Sequence, residues 1–489
     1  MKKLDINLVP DCINPSPDYY CTWQTQLYAS NNGGPQAQRD ILNEAALFGD
    51  GYPLGWTKFY SDAKRDLLFV IDDSWDVPYG ETPEKSGLFG SLILDKGKFP
   101  SFAADGTENH AALKSLADAV KARGWKGFGG WVCPQVAPKF KGTDREEYWK
   151  KRLIDADRAE TDYWKIDWGE DGSKFEVRQM ITELKRQYAP KLFAEQAGIR
   201  ELVPKSDVFR TYDVIAIMSI PMTLPRLADT LSFDAEEGRP ALVNCEDEVY
   251  IAAALGCTMG VMRQPMAGVL PNGNPDPSFP NLHRNLKTKM CEVTRAVRWH
   301  RIAPAFAVNG SETKVSDEIL TDSWNVVNQS EEIEAWWKFK DGDVIEKSAP
   351  SSISRGLPLP IVTSDVDGKI PYTVSAKNPN GAASIATLGR TEKREYKIPE
   401  CDIIFDTENA EIFGIFGEYK ALTVKSLAVK TASRILAQDL AGDFCFDITE
   451  DIKIGEGFFV LNGKIISEIG TSCNPDGDTS EPGMLVKIV

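Results

Sequence analysis

The stretch YWKIDWGEDG, residues 163–172, decides how we interpret the rest of the chain. Two aromatic residues lead into Lys165 and Asp167, and a Gly-Glu-Asp-Gly turn then ends the strand-like run. Residues two apart on a β-strand point to the same face. If that face lines a barrel, a lysine and a carboxylate lie side by side at its mouth. Such a pair is either a structural ion pair or part of a reactive site, and the surrounding sequence favours chemistry.

Short strand-like runs alternate with amphipathic helical stretches around this segment. Leu113, Leu116, Ala117 and Val120, for example, have the spacing of one buried helical face. The predicted strands are residues 19–29, 66–75, 125–134, 163–172, 191–198, 207–214, 241–248 and 260–267. Eight strand–helix units between residues 19 and 304 predict an α/β fold, the (β/α)8 TIM barrel.

An open, doubly wound sheet is the alternative α/β architecture. Its nucleotide-binding form has a GxGxxG motif after the first strand, and this chain has none there. The run GWKGFGG, residues 124–130, has the wrong spacing to hold a phosphate. Its glycines instead predict close packing inside the third strand.

After about residue 305, helical periodicity gives way to short β-rich runs separated by turn signals. The dipeptides Asp341-Gly342, Asn380-Gly381 and Asn462-Gly463 each predict a hairpin. We therefore predict a catalytic barrel domain over residues 1–305 and an all-β, sandwich-like domain over residues 306–489. The second domain is long enough to contain two small β units.

The composition excludes several kinds of partner. A net charge of −16 argues against nucleic acid and anionic membranes, and it is compatible with a neutral ligand such as a sugar. No apolar run is long enough for a signal peptide or a membrane span. The nine cysteines are scattered and never form a CxxC pair, which favours reduced thiols in the cytoplasm over disulfides or a zinc site. A secreted chain with a trimmed leader would look the same. We expect no cofactor and no metal, and the sequence leaves the oligomeric state open, a homo-oligomer included.

Ionisable residues gather at the carboxyl ends of the predicted strands, which surround the active site in a barrel. They are Asp72, Asp73, Lys165, Asp167, Glu195, Arg210, Asp213 and Glu246 to Glu248. Trp23, Trp75, Trp131 and Trp168 accompany them, although core filling also explains Trp23 and Trp131. Carboxylates bind sugar hydroxyls and indole rings stack on the C–H faces of a sugar, so the pattern predicts a carbohydrate site.

Several of these charged residues also have structural explanations. Adjacent Asp72 and Asp73 point to opposite faces, so one of the two is expected to be structural. Glu195 either contacts a ligand or pairs with a neighbouring Arg or Lys. Residues 246–248 fit the start of a helix, where acidic side chains are favourable. Asp207, at the start of the sixth strand, competes with Asp213 for a role in the site.

Three motifs resemble the α-galactosidase clan of retaining glycoside hydrolases, families 27 and 36. They are IDDSW (71–75), KID (165–167) and the Arg-then-Asp of FRTYDV (209–214). The clan has Asp-Asp-x-Trp on strand two, Lys-x-Asp on strand four, and an Arg shortly before an Asp on strand six. The chain departs from the clan in the shorter spacing from Arg210 to Asp213, and in Ser74, where many members have Cys. The resemblance covers roughly the barrel, with a β domain behind it.

The resemblance implies a retaining exo-α-glycosidase, with an α-galactoside as the expected substrate. Asp167 would be the nucleophile and Asp213 the general acid/base of a double displacement, with their carboxyl groups about 5–5.5 Å apart. The implied sugar-binding residues are Asp72, Asp73, Lys165, Glu195 and Arg210, to which we add Trp23 and Trp131 from the aromatic pattern. Lys165 is expected to lower the pKa of Asp167 and keep it anionic.

Two other functions remain open at this point. Asp167, Glu195 and Asp213 could hold a magnesium ion, with Lys165 as base, in an enolase-type lyase or isomerase. Alternatively, the barrel has lost catalysis and only binds glycans.

Overall fold

The computed structural model describes residues 1–51, 53–211, 218–233, 241–262, 270–274, 289–327 and 339–489. Asp213, the predicted acid/base, lies outside these ranges. Residues 263–267 of the eighth predicted strand also lie outside them. Within the described ranges, no helix is long and apolar enough to cross a membrane.

Eight parallel strands form the nearly closed barrel that the sequence predicts. The first strand of the chain, β1 (Lys2–Leu4), belongs to another sheet, and the barrel follows it: β2 (Tyr19–Cys21), β3 (Leu68–Ile71), β4 (Gly127–Val132), β5 (Tyr163–Ile166), β6 (Phe193–Ala197), β7 (Val208–Arg210), β8 (Leu242–Asn244) and β9 (Gly260–Val261). Each strand from β2 to β8 pairs with the next, and β9 pairs with β2. A parallel bridge from Asn244 to Thr258 links β8 to the residues before β9.

The strands are shorter than the sequence suggested, and the first one is the clearest case. Only Tyr19–Cys21 is extended, and a helix starts at Trp23. The Thr22 hydroxyl oxygen accepts a hydrogen bond from the backbone N–H of Asp72 at 2.8 Å. The run 19–29 is therefore a strand followed by a helix, and Trp23 lies at the helix start.

Apolar side chains fill the lower part of the barrel. Tyr19, Leu68, Val70, Tyr163 and Val208 form one buried cluster from four different strands. Because side chains two apart share a face, the next inward positions along these strands lie nearer the carboxyl end. The charged residues of the predicted site occupy those positions, above a packed floor.

Glycines on β4 bring neighbouring strands close together, as the sequence predicted. A Cβ added to Gly129 would lie only 2.6 Å from the carbonyl oxygen of Tyr163 on β5. A Cβ added to Gly130 would instead meet the Trp75 ring at an ordinary 3.5 Å.

We expect Gly129→Ala to destabilise the protein by about 1–3 kcal/mol, because the strand backbone has to move to admit the methyl group. Gly130→Ala, its neighbour on the same strand, should change stability little. Thermal denaturation of the two variants beside the wild type tests this. Equal melting temperatures for both variants would contradict it.

Helices surround the barrel, apart from the last one, which lies in the C-terminal region. They are α1 (Trp23–Ala29), α2 (Pro35–Asp40), α3 (Glu44–Phe48), α4 (Asn109–Lys121), α5 (Arg145–Arg158), α6 (Phe175–Tyr188), α7 (Ser219–Leu231), α8 (Val249–Leu255), α9 (Lys289–His300) and α10 (Gly463–Gly470). Leu113, Leu116, Ala117 and Val120 are buried on α4, as their spacing predicts. Asp144 caps α5 by accepting a hydrogen bond from the backbone N–H of Glu147.

The C-terminal region contains two main sheets. Its strands are β10 (Thr313–Val315), β11 (Ile319–Asn325), β12 (Val344–Pro350), β13 (Ser352–Arg355), β14 (Ile361–Thr363), β15 (Tyr372–Lys377), β16 (Ala383–Leu388), β17 (Arg390–Glu392), β18 (Glu395–Lys397), β19 (Asp402–Asp406), β20 (Ile412–Phe416), β21 (Ala421–Lys425), β22 (Ile435–Asp439), β23 (Cys445–Asp447), β24 (Lys453–Gly455), β25 (Phe458–Asn462) and β26 (Gly483–Ile488). A nine-stranded sheet runs β1-β23-β22-β26-β20-β16-β15-β13-β10, and a five-stranded sheet runs β14-β19-β21-β25-β24.

A common core joins these two sheets into the predicted sandwich. Ile385 and Phe413 from the larger sheet pack with Ile403, Val424 and Leu461 from the smaller one. Such face-to-face burial of alternate residues is the usual packing of a β-sandwich. The sandwich prediction is therefore confirmed, while the domain division at residue 305 stays a prediction.

One of the three predicted hairpin turns joins antiparallel strands, since Asn380-Gly381 lies between β15 and β16. Asp341-Gly342 precedes β12, but most of the strand expected before it lies outside the described residues, so this hairpin stays a prediction. The third prediction was wrong. Asn462 caps helix α10 by accepting a hydrogen bond from the Ile465 N–H at 2.9 Å, so Asn-Gly here starts a helix.

The barrel and the sandwich pack directly against each other. Arg295 of α9 forms a buried bidentate pair with Asp439 of β22, at 2.8 and 3.1 Å. Arg355 of β13 lies 3.7 Å from the centre of the Phe306 ring and donates to the Leu255 carbonyl at 2.8 Å. At the other end of the chain, Lys2 to Leu4 of β1 pair with Cys445 to Asp447.

Candidate active site

The predicted site residues within the described ranges come together at the carboxyl end of the barrel. Trp131 on β4 pairs with Lys165 on β5, which in turn pairs with Glu195 on β6. Arg210, the last residue of β7, pairs with Asn244, the last residue of β8. Because these strands are parallel and in register, their polar side chains meet in one cluster.

Asp72 is the main partner of Lys165. The Lys165 Nζ lies 2.7 Å from Asp72 Oδ2, and both side chains are almost completely buried. The Cys21 thiol donates to the same oxygen at 2.9 Å. Burial alone would lower the pKa of Lys165, but the Asp72 carboxylate raises it well above its ordinary value. Lys165 is therefore a fixed cation.

Asp167 follows β5, and three groups hold its carboxylate while a fourth holds its backbone. Its Oδ1 lies 3.2 Å from Arg210 Nη2. Its Oδ2 accepts a hydrogen bond from the Trp131 indole at 3.0 Å and lies 3.8 Å from Lys165 Nζ. Its backbone carbonyl accepts a hydrogen bond from Arg178. The Lys165–Asp167 proximity predicted from the sequence is present, but Arg210 makes the closer contact.

These cations keep Asp167 ionised. Burial would raise its pKa, but Arg210, then Lys165 and then the Trp131 hydrogen bond lower the pKa below the ordinary value. The sequence predicted this direction and assigned it to Lys165, whereas Arg210 has the larger effect. Asp167 is thus an anion at neutral pH, at the end of a barrel strand.

Arg210 connects three buried carboxylates. Its Nε lies 3.1 Å from Glu195 Oε1, its Nη1 lies 2.9 Å from Glu246 Oε1, and its Nη2 contacts Asp167. The three nitrogens of one planar guanidinium thus each face a different carboxylate. This geometry fixes the guanidinium plane, which a lysine could not do.

Glu195 lies beneath Arg210 and is completely buried. Its Oε2 accepts from the Tyr163 hydroxyl at 2.7 Å and from the Asn244 side-chain amide at 2.6 Å. The Tyr19 hydroxyl donates to its other oxygen at 3.2 Å. Burial raises the pKa of Glu195, while Arg210 and these hydrogen bonds oppose the rise. Both oxygens have partners, so the pairing with an arginine that the sequence offered is present, and the contact of Glu195 with a substrate stays a prediction.

Asp72 and Asp73 have different partners, as expected for adjacent residues on a strand. Asp72 contacts Lys165, whereas Asp73 pairs with Arg39 of α2 at 3.1 Å and accepts from the Ser74 hydroxyl at 2.7 Å. Asp73 thus has structural partners, and its contact with a sugar hydroxyl stays a prediction.

The tryptophans have different positions around Asp167. Trp131 is buried, donates to Asp167, and accepts a hydrogen bond from the Trp75 indole on its carbonyl at 2.9 Å. Trp168 is 39% exposed and packs against Phe89 and Trp131. Trp23 is partly buried against the cluster that fills the barrel. Trp131 thus orients Asp167. The exposed ring belongs to Trp168, which is not among the sugar-binding residues expected from the sequence.

Glu246 is one of the charged residues that the sequence places at the end of β8, with the start of a helix as the alternative. The helix α8 begins only at Val249, and Glu246 is buried beside Arg210. Its backbone has a left-handed φ of 51°. The sequence did contain a signal: Glu246 lies two residues after Asn244, the β8 residue that pairs with Arg210, and so shares its inward face.

The described carboxylates of the site are not arranged as metal ligands. Among the described side chains, no group of three or more His, Cys, Asp or Glu is placed to share a metal ion. The Arg210 guanidinium occupies the space between Asp167 and Glu195. A divalent cation between these two carboxylates would have to displace a buried, charge-paired arginine.

These features define a class of protein: a (β/α)8 barrel with an ionised, cation-bound carboxylate at its carboxyl end, followed by a β-sandwich. No protein-family model matches the chain, and no curated protein matches its sequence.

Several solved structures are similar to this chain, at low sequence identity and with TM-scores below 0.5. One is a family 27 β-L-arabinopyranosidase from Geobacillus stearothermophilus (10% identity, 97% of this chain and 96% of that chain, TM-score 0.43). Others are α-galactosidase I from Mortierella vinacea (11% identity, 99% and 98% coverage, TM-score 0.42) and an Anoxybacillus α-amylase (9% identity, 96% and 98% coverage, TM-score 0.44).

Proposed function

We propose that this chain is a retaining exo-α-glycosidase that releases a terminal α-linked sugar, with galactose as the first candidate and Asp167 as the nucleophile. One observation carries the proposal. Asp167 is ionised and held by Arg210, Lys165 and Trp131 at the carboxyl end of a barrel strand. A glycosidase nucleophile needs this combination of negative charge, fixed orientation and position.

The reaction has two displacement steps. Asp167 attacks the anomeric carbon and forms a glycosyl ester, while the bond to the leaving oxygen breaks and the general acid protonates that oxygen. Water then attacks the same carbon, loses its proton to the general base, and releases Asp167 as a carboxylate. We assign the acid/base role to Asp213 on its resemblance to the clan motif.

The neighbouring residues would orient the sugar. Lys165, a buried cation paired with Asp72, can donate to a hydroxyl on the ring near the nucleophile. The exposed ring of Trp168, next to Asp167 in the chain, can stack on the C–H face of a sugar. Galactose, N-acetylgalactosamine and L-arabinopyranose share the axial hydroxyl pattern that such residues can bind.

The two other functions receive less support. The magnesium enzyme needs Lys165 as a base, but the Asp72 carboxylate holds Lys165 in its charged form. It also needs the space that Arg210 occupies between Asp167 and Glu195. A glycan-binding barrel without catalysis has no need for an ionised carboxylate fixed by three donors. The hydrolase therefore explains more of the described contacts.

A panel of p-nitrophenyl α- and β-glycosides tests this proposal. We expect the purified protein to release nitrophenol from an α-galactoside or from another sugar of the same hydroxyl pattern. Time-resolved NMR should detect the first sugar product with the α-configuration retained. Glycan binding without hydrolysis would favour the binding barrel, and loss of turnover in a chelator would favour the magnesium enzyme.

A further inference from the structure

Glu246 is buried beside Arg210, and the proposed reaction does not use it directly. Its Oε1 lies 2.9 Å from Arg210 Nη1, and the residue has no exposed surface. Its Oε2 is also buried and accepts no hydrogen bond from the part of the chain that is described. The direct side-chain contact of Glu246 is therefore with the guanidinium that holds Asp167.

The backbone at Glu246 is arranged to keep this contact. Its left-handed φ of 51° is unusual for a residue with a side chain, and such strain persists only where the surroundings fix it. The Glu246 N–H donates to the Asn244 side-chain oxygen at 2.7 Å. The amide nitrogen of the same Asn244 donates to Glu195 at 2.6 Å. Asn244 thus links the backbone of Glu246 to the carboxylate of Glu195.

We propose that Glu246 is a positioning residue that shares the charge of Arg210 with Asp167 and Glu195, and so sets how strongly the guanidinium holds the nucleophile. The inference rests on the proposed function, because it assigns Glu246 a role through Asp167. Glu246 itself does not touch the sugar in this arrangement.

The charges around Asp167 and Arg210 give the physical reason for this role of Glu246. Asp167 faces Arg210, Lys165 and Arg178, together with the Trp131 indole. Arg210 faces Asp167, Glu246, Glu195 and the Tyr19 hydroxyl.

An arginine without anions on its far side would bind Asp167 too strongly. The carboxylate would remain ionised but would be a weak nucleophile, since a less basic group attacks more slowly. Glu246 and Glu195 offset part of that charge. Glu246 is thereby expected to keep the nucleophile both ionised and reactive.

Glu246→Gln tests the inference, because the amide keeps the shape and an acceptor oxygen for Arg210 but has no charge. With one anion gone, Asp167 should lose its proton more easily. The acid limb of the kcat/KM profile should move down by about half to one pH unit. The plateau kcat should fall about tenfold with little change in KM, since the substrate contacts remain. Glu246→Asp keeps the charge and should keep the acid limb near its wild-type position.

Asp66→Asn is the matched control. Asp66 is a completely buried carboxylate that pairs with Arg301, before the start of β3 and away from the carboxyl end. We expect this variant to have a lower melting temperature and an unchanged acid limb.

The outcomes separate the inference from the function on which it rests. A Glu246→Gln variant with a lower melting temperature but wild-type kcat and acid limb would overturn the positioning role and leave a structural one. A wild type that cleaves no glycoside would instead contradict the proposed function. An acid limb that moves to higher pH in Glu246→Gln would also overturn the inference, because the inference requires the pKa of Asp167 to fall in this variant.

Discussion

Asp167→Asn should abolish sugar release, lowering kcat by several orders of magnitude. The amide has the shape of the carboxylate, and its oxygen can still accept the hydrogen bond from Trp131. It has no negative charge with which to attack the anomeric carbon, so the glycosyl ester does not form. Steady-state nitrophenol release from the best glycoside of the panel measures the effect. Full turnover by the variant would exclude Asp167 as the nucleophile.

Two further variants make this test specific. Asp171→Asn is the matched control, because Asp171 is a buried carboxylate four residues further on that pairs with Lys174 and Arg145. It should retain most of the activity. Asp167→Gly leaves space for azide, which would attack from the side where the carboxylate was. The product expected with azide is a glycosyl azide of inverted configuration, and NMR identifies it.

Arg210→Met should have the largest effect on stability. The substitution removes the charge that faces Asp167, Glu195 and Glu246, and leaves three buried carboxylates without their shared partner. Removing one member of a buried ion pair costs about 3–5 kcal/mol. We therefore expect a melting temperature several degrees lower at neutral pH, together with loss of activity. A variant as stable as the wild type would show that the network contributes little to folding.

The pH dependence of the melting temperature of Arg210→Met is a second measurement. The pKa of Asp167 is lowered in the folded wild type, so its contribution to stability is present above the unfolded pKa and is lost as pH falls through the folded pKa. In Arg210→Met the buried carboxyl groups would take up protons readily, which relieves their repulsion. The difference in melting temperature between wild type and variant should therefore shrink toward low pH. Arg210→Lys keeps a charge but cannot face three carboxylates. Its melting temperature should therefore lie between those of the wild type and Arg210→Met.

The sequence predicted the parts of the fold that depend on local pattern. Alternating strand and helix periods indicated the barrel, and the position of Asp72, Lys165, Asp167 and Arg210 at strand ends indicated their meeting point. Both follow from rules that act within about ten residues or from the geometry of parallel strands. Turn dipeptides were less decisive. Asn462-Gly463 starts a helix because Ile465, Ile466 and Ile469 bury one face of it.

The partners of each charge could not be predicted in the same way. The sequence assigned Asp167 to Lys165 because they are two residues apart, but Arg210, from a strand two places round the barrel, affects it more. The buried partners of Glu195 and Asp73 also come from distant parts of the chain, so no local pattern identifies them. The sequence placed Glu246 at a strand end, but its contact with Arg210 depends on a left-handed backbone conformation at this residue and could not be predicted.

The pairing of β1 with β23 has a consequence for how the molecule would respond to a cut. The Met1 amino group contacts Asp451, 450 residues further along the chain, just beyond the three residue pairs that join Lys2–Leu4 to Cys445–Asp447. If a protease cleaved the chain once between the barrel and the sandwich, the pairing of β1 with β23 would still hold the two fragments together. The ion pair between Arg295 and Asp439 would add to this contact. The nicked protein should still migrate as one particle in gel filtration, and separate only when a denaturant opens the sheet.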